Sequence, residues 1–199
     1  MKPRHWVLIA ILALIGGCNL YGLLSGLSTD VYRGQVVDEE TGAPLAGAVV
    51  TVIWGNSSYL GYEAGPREFL NAQETVTDSN GNFTLQVSAG FNRKLFTLVS
   101  DPWIVMYQPG YEPLMEDNFK RRGFETVDAL VAALESGLTV KLRKLRKDEI
   151  RKYVDRRVVW PSDTPFERIP NLMRAINIQS KMAGVPPYTI ETPEKGKLR

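Results

Sequence analysis

Between residues 31 and 143 short runs of apolar residues alternate with clusters of Gly, Asn, Asp and Pro, the pattern of a β-protein cut into short strands. Strands are predicted over 31–37, over the β-branched run 48–54, over 74–78, over 96–99, over 103–107 and over 140–143. Another is predicted over 83–87, where Phe83, Leu85 and Val87 alternate with Thr84 and Gln86. Turns are expected at 38–44 and at 78–82, the second with Asn80-Gly81 at its centre, a strong hairpin signal. A polar, glycine-rich loop is expected over 55–72. The period changes to helical further on. Thr126 can cap a helix whose apolar face is Val127, Leu130, Val131 and Leu134, with Gly137 ending it. Ile150, Tyr153, Val154 and Val158 repeat at helical spacing. A last helix is expected from Pro170, burying Leu172, Met173, Ile176 and Ala183 and stopped by Gly184, Pro186 and Pro187.

The first thirty residues follow another rule. Residues 1–5 are basic, Trp6 to Ile15 are wholly apolar, and Gly16, Gly17 and Cys18 follow. A charged start, an apolar stretch of about ten residues and small residues at a cut site make an export signal over 1–17. Residues 18–30, rich in Gly and Ser, read as a flexible tether. The organisation expected is therefore a signal (1–17), a tether (18–30), a β-domain (31–145) with a helical insertion at 108–138, and a helical extension and tail (146–199).

Composition narrows the chemistry. The chain has 199 residues, 24 Lys and Arg against 22 Asp and Glu, and a net charge of +2. Lys2 and Arg4 fall in the signal, leaving a neutral remainder, which argues against a nucleic-acid binder. The single histidine, His5, also lies in the signal, and Cys18 is the single cysteine. Beyond residue 18 there is no imidazole and no thiol. Ser-His-Asp and Cys-His nucleophile systems are therefore excluded there, as are the usual zinc sites and any intrachain disulfide. No cofactor and no metal are expected.

Ile15-Gly16-Gly17-Cys18 resembles the bacterial lipobox. The resemblance implies cleavage before Cys18, a diacylglyceryl group on its sulfur and an acyl chain such as palmitate on its nitrogen. One acyl chain binds a membrane only marginally, at about 0.8 kcal/mol per buried methylene, whereas two or three anchor it stably. The alternatives are plain secretion and an uncleaved helix over 6–24, interrupted in its second half by Gly16, Gly17, Asn19 and Gly22. Asn19 is not the Asp that retains some lipoproteins at the inner membrane. The expected location is the cell membrane or outer membrane, facing periplasm or exterior.

A second resemblance lies in the β-region. Gly34 to Asp38, then Thr41 to Val50, then Thr77 to Phe83 are similar to the carboxypeptidase regulatory-like family, itself related to Cna-B and transthyretin-like domains. That implies a mainly β fold, an antiparallel β-sandwich of about seven strands over 31–107 with a closing strand near 139–145. The helical insertion and helical C-terminal extension are additions to it. Some Cna-B-like domains close an isopeptide bond from a first-strand lysine, but no lysine occurs between Lys2 and Lys94. Asp78 to Asn82 looks like half a calcium loop, yet the twelfth position is Ala89 rather than a bidentate glutamate, so the stretch reads as a turn.

Trp54, Tyr59 and Tyr62, beside the 55–72 loop, are the candidate ligand-binding residues. Exposed rings there would make a sugar or peptide platform, as Trp103, Tyr107 and Tyr111 could, while buried rings would be core. The run 141–157 carries nine basic residues among Asp148, Glu149 and Asp155. It suits anionic lipid headgroups or, as favoured here, a solvated helix face with pairs such as Asp148–Lys152. Glu39 with Glu40, and Glu116 with Asp117, read as solvated surface rather than acid/base pairs. The reading that results is a non-catalytic, lipid-anchored scaffold or binding module whose partner is another envelope protein. A carbohydrate-binding surface lipoprotein is the first alternative and a carboxylate-based hydrolase the second.

Overall fold

The computed structural model describes residues 29–58, 68–90, 97–155 and 163–188. The signal, Cys18, Tyr59, Tyr62, Val158 and the end of the tail lie outside them. Seven strands are seen among the described residues: β1 (Asp30–Asp38), β2 (Val49–Ser58), β3 (Glu68–Val76), β4 (Asn82–Val87), β5 (Thr97–Val99), β6 (Trp103–Tyr107) and β7 (Leu138–Leu142). Three α-helices accompany them among the described residues: α1 (Val127–Ser136), α2 (Lys147–Asp155) and α3 (Pro170–Met182).

The strands form two sheets. One has the order β4-β1-β7; in the other β2 is central, with β3 on one side and β5 and β6 on the other. Between the sheets Val36, Phe83, Leu85 and Leu142 from the first meet Val50, Val52, Trp54 and Met106 from the second. The alternation of β4 appears as read: Phe83, Leu85 and Val87 are buried while Asn82, Thr84 and Gln86 are exposed. The architecture is thus sandwich-like.

It is neither purely antiparallel nor mainly β, which corrects the expectation. β1 and β7 run parallel, Gly34 opposite Leu138 through Asp38 opposite Leu142. The cause lies in the chain after β6. It crosses to the first sheet through 108–137, and α1 precedes β7, which starts opposite Gly34 at mid-strand and runs the way β1 does; parallel neighbours need such a long crossover. α1 begins as the sequence indicates, with the Ala129 N–H donating to Thr126 Oγ1 at 3.2 Å, and it buries Leu130 and Leu134 in the inter-sheet core. The 108–138 insertion is less helical than expected. Its first part is extended, with bridges from Leu114 to Met106 and from Tyr111 to Lys144, and two 3₁₀ turns (116–118 and 120–122) precede α1.

Two further boundaries move. The expected 55–72 loop is strand at both ends, since β2 runs on to Ser58 and β3 starts at Glu68. A register shift between Trp54 and Gly55 marks a bulge, after which Gly55 faces Phe69 and Asn56 faces Glu68. Gly55, Asn56, Ser57 and Ser58 carry no apolar side chain, and Phe69 and Leu70 are adjacent, so no apolar alternation reveals them. Ala183, expected on the buried side of the last helix, is instead its half-exposed C-cap.

The two early turns are held by carboxylates. Asp78 Oδ1 accepts the Asn80 and Asn82 N–H groups, both at 2.8 Å, so its own backbone occupies the would-be calcium ligand. At Gly81 φ is +72°, and an added Cβ would lie 2.5 Å from the Val36 carbonyl oxygen, so only glycine fits.

α3 covers the outer face of the second sheet. Leu172, Met173 and Ile176 pack on Val49, Ile53, Val105 and Tyr107, forming a second core. Pro170 opens this helix, as expected. Its free N–H groups are capped from another layer: Glu74 on β3 accepts from Asn171 N–H at 2.8 Å and Leu172 N–H at 2.9 Å, and is steadied by the Thr51 hydroxyl at 3.0 Å. A carboxylate at a helix N-terminus meets both the orphan donors and the positive end of the helix dipole.

Candidate functional site

The densest polar cluster among the described residues centres on Glu112. The extended stretch before the 3₁₀ turns places it, with its N–H donating to the Arg143 carbonyl at 2.8 Å. Its side chain is only 2% exposed. It would be costly there as a lone charge, since burying an unpaired carboxylate costs many kcal/mol. Four residues surround it. Arg121 donates to Oε1, as does the Tyr153 hydroxyl at 2.6 Å, while Arg143 Nε donates to Oε2 at 3.0 Å. Arg122 Nη2 stands 3.6 Å from Oε2. Burial pushes the Glu112 carboxyl up, but the hydrogen bonds from Tyr153, Arg121 and Arg143 outweigh it and bring it down to about 2. The cluster joins three elements: the 3₁₀ turn at 120–122, the end of β7 and α2. Arg143 also grips Glu149 of α2, at 3.0 Å.

Beside this cluster lies a cavity of about 480 Å³. Leu114, Phe124 and Leu138 give it an apolar floor, and Arg121, Arg122, Lys141 and Glu39 supply its charges. Arg122 is pinned there, donating to the Lys141 carbonyl at 2.6 Å and lying 3.8 Å from Glu39. Its side chain is 12% exposed, whereas that of Arg121 is 61% exposed.

The acids of the described interior are occupied. The Thr41 N–H holds the Asp38 carboxyl below its ordinary value against the effect of its burial, helped by Tyr111, whose hydroxyl donates at 3.0 Å, and by the Glu40 N–H. Arg143 and the Arg146 N–H likewise lower the Glu149 carboxyl. Among the described residues no group of three or more His, Cys, Asp or Glu side chains stands close enough to hold a metal. No helix of these residues is long and apolar enough to cross a membrane.

Trp54 is not a platform. It is 6% exposed and belongs to the inter-sheet core together with Ile104 and Leu85. Tyr59, Tyr62 and Cys18 lie outside the described residues. Tyr107 is buried and Trp103 half-buried against the α3 face. In the basic run Arg143 turns inward to Glu112, and Asp148, expected to meet Lys152, meets Arg146 at 3.4 Å. Glu112 escaped sequence analysis altogether. Its side-chain partners are 9, 31 and 41 residues away, and no periodicity joins such positions. The one local hint was an acid in an apolar stretch, between Tyr111 and Pro113-Leu114.

No protein-family model matches the chain, and no curated protein matches it. Among solved structures it is similar to a 9R-lipoxygenase from Cyanothece PCC8801, at 18% identity and a TM-score of 0.24, over 52% of this chain and 16% of that one. It is also similar to an alternative pilotin from the type II secretion system of Vibrio cholerae, at 16% identity and a TM-score of 0.26, over 60% of this chain and 99% of that one. At these TM-scores neither likeness carries an argument about fold or function.

Proposed function

We propose that this chain is a non-catalytic, lipid-anchored cell-envelope protein that acts as a scaffold or binding module for another envelope protein. In this reading residues 1–17 direct export, Cys18 carries the lipid, and the β-domain is of the carboxypeptidase regulatory-like kind. The observation that carries it is what the interior does with its acids. A hydrolase built on carboxylates needs one acid held up near its working pH so that it can give a proton. Here the shifts at Asp38, Glu112 and Glu149 all run downward, and each acid is tied to partners that fasten the fold. Glu112 acts as a clamp for α2. The absence of His and Cys beyond Cys18 points the same way. The carbohydrate-binding alternative has lost Trp54 as its anchor to the core.

The partner can be sought in the host envelope. A photoreactive amino acid placed singly at exposed positions, among them Thr139, Lys141 and Ile178, is expected to cross-link the membrane-bound protein to one discrete envelope protein from at least one position. Absence of any adduct from every exposed position contradicts the scaffold reading.

A further inference from the structure

Among the described residues the first sheet has an unfinished edge at β7. Backbone groups of successive strand residues point to opposite sides. The Leu142 carbonyl accepts from Glu39 N–H at 2.9 Å, so Leu138, Val140 and Leu142 face β1 and Thr139, Lys141 and Arg143 face away from it. Part of that outward edge is closed. The Arg143 carbonyl takes the Glu112 N–H, and the Lys141 carbonyl takes Arg122. What remains is the Thr139 N–H and carbonyl and the Lys141 N–H, which no hydrogen bond among the described residues fills. They open onto the cavity described above, lined by Leu138 to Lys141 on one side and Arg121 to Phe124 on the other.

A lysine on an open edge is by itself an ordinary guard against edge-to-edge pairing. The rest of this edge goes beyond a guard. Two arginines stand beside it, Arg121 held by Glu112 and Arg122 by the Lys141 carbonyl, so an arriving anion would have less to order. The cavity lining carries three cations against the carboxylate of Glu39, and the Glu112 carboxylate behind the two arginines offsets one more charge, which leaves the edge net positive. Adding a strand to an exposed edge is an established mode of peptide capture, in which backbone bonds give affinity and adjoining pockets give selectivity. We propose that the β7 edge from Thr139 to Lys141 receives an extended acidic peptide segment of the partner as an added strand, a carboxylate of which seats among Arg121, Arg122 and Lys141. This deepens the scaffold reading and rests on it.

The test is an NMR titration of the full chain, ¹⁵N-labelled, with an alternating valine–glutamate hexapeptide, its valine–lysine counterpart and free glutamate. The acidic peptide is expected to bind with a Kd below about 1 mM and to shift the Thr139 and Lys141 amides most. Thr139→Pro removes only an outward N–H, which an edge strand tolerates, and should abolish binding while leaving the spectrum of the fold intact. Arg121→Glu and Lys141→Glu should each weaken binding about tenfold, equivalent to 1.4 kcal/mol. Equal binding of the lysine peptide, no binding of the acidic one, or amide shifts confined to other surfaces overturns the proposal. So does an equal effect of free glutamate, which would make the site a simple anion pocket. A dimer of the chain that Thr139→Pro dissolves would give the edge to a second copy and also overturn it. Cross-linking to an envelope protein from positions other than Thr139 and Lys141, together with a failed titration, would sink this inference and leave the scaffold reading standing.

Discussion

Replacing Glu112 by Gln is expected to cost the fold about 3 kcal/mol, read as a lower urea midpoint at unchanged m-value. Removing one partner of a buried ion pair leaves the others as uncompensated charges, at about 3–5 kcal/mol. The lower end applies because Arg121, at 61% exposed, and Arg143, at 31%, can regain water. Arg122, at 12% exposed, cannot do so as easily, and its Nη2 already lacks a hydrogen bond among the described residues. The effect has a pH signature. The Glu112 carboxyl lies near 4.5 when unperturbed and about 2 in the fold, so its folded value is depressed. Its contribution is therefore fully present above pH 4.5 and is lost as the pH falls toward 2. The stability gap between wild type and Glu112→Gln should be constant from pH 7 to about 5 and narrow steadily below that. A gap under about 0.5 kcal/mol at pH 7, the range of ordinary surface changes, would mean that the cluster does not fasten α2.

Trp54→Ala should cost about 3–5 kcal/mol, as large-to-small changes at buried aromatic positions do. Trp54 sits between the two sheets in one core with Val52, Leu85, Val87 and Ile104, and a close-packed interior relaxes only partly into the space its rings would leave. Trp54→Phe keeps much of that volume and should cost clearly less. The loss would be measured by urea unfolding followed by circular dichroism. A Trp54→Ala protein of unchanged stability that had lost a glycan ligand would return the residue to the surface and revive the carbohydrate-binding reading.

Much of the fold was legible because it rests on local signals. Thr126 and Gly137 bracket α1, Pro170 opens α3, and Phe83, Leu85 and Val87 display the two-residue period of β4. The unread parts depend on residues distant in the chain. The first half of β3, read as loop, carries Glu68 and Asn71 beside Phe69, Leu70 and Ala72, with no two-residue alternation to mark it, and only its end from Glu74 reads as extended. Glu74 caps a helix 97 residues downstream, and nothing near it in sequence announces that task. The direction of β7 depends on how α1 returns the chain, not on the composition of the strand. The candidate site was legible least of all. Trp54 stands out for its size, yet size favours the core. The Glu112 cluster and the open stretch of β7 exist only once the chain from Tyr111 to Gly123 lies beside Thr139 to Arg143.

These features fit one arrangement. A two-sheet body clamped by Glu112 and capped through Glu74 would be a rigid platform, and an edge flanked by fixed arginines would be the part of it that meets a partner. Everything functional in that account requires the platform to be held at a membrane by Cys18. The most direct measurement is the mass of the N-terminal peptide from protein purified out of the host membrane. The account predicts a peptide that begins at Cys18 and carries a diacylglyceryl group on sulfur and an acyl chain on nitrogen. A peptide that still contains residues 1–17, or one that begins elsewhere with an unmodified Cys18 thiol, would contradict it.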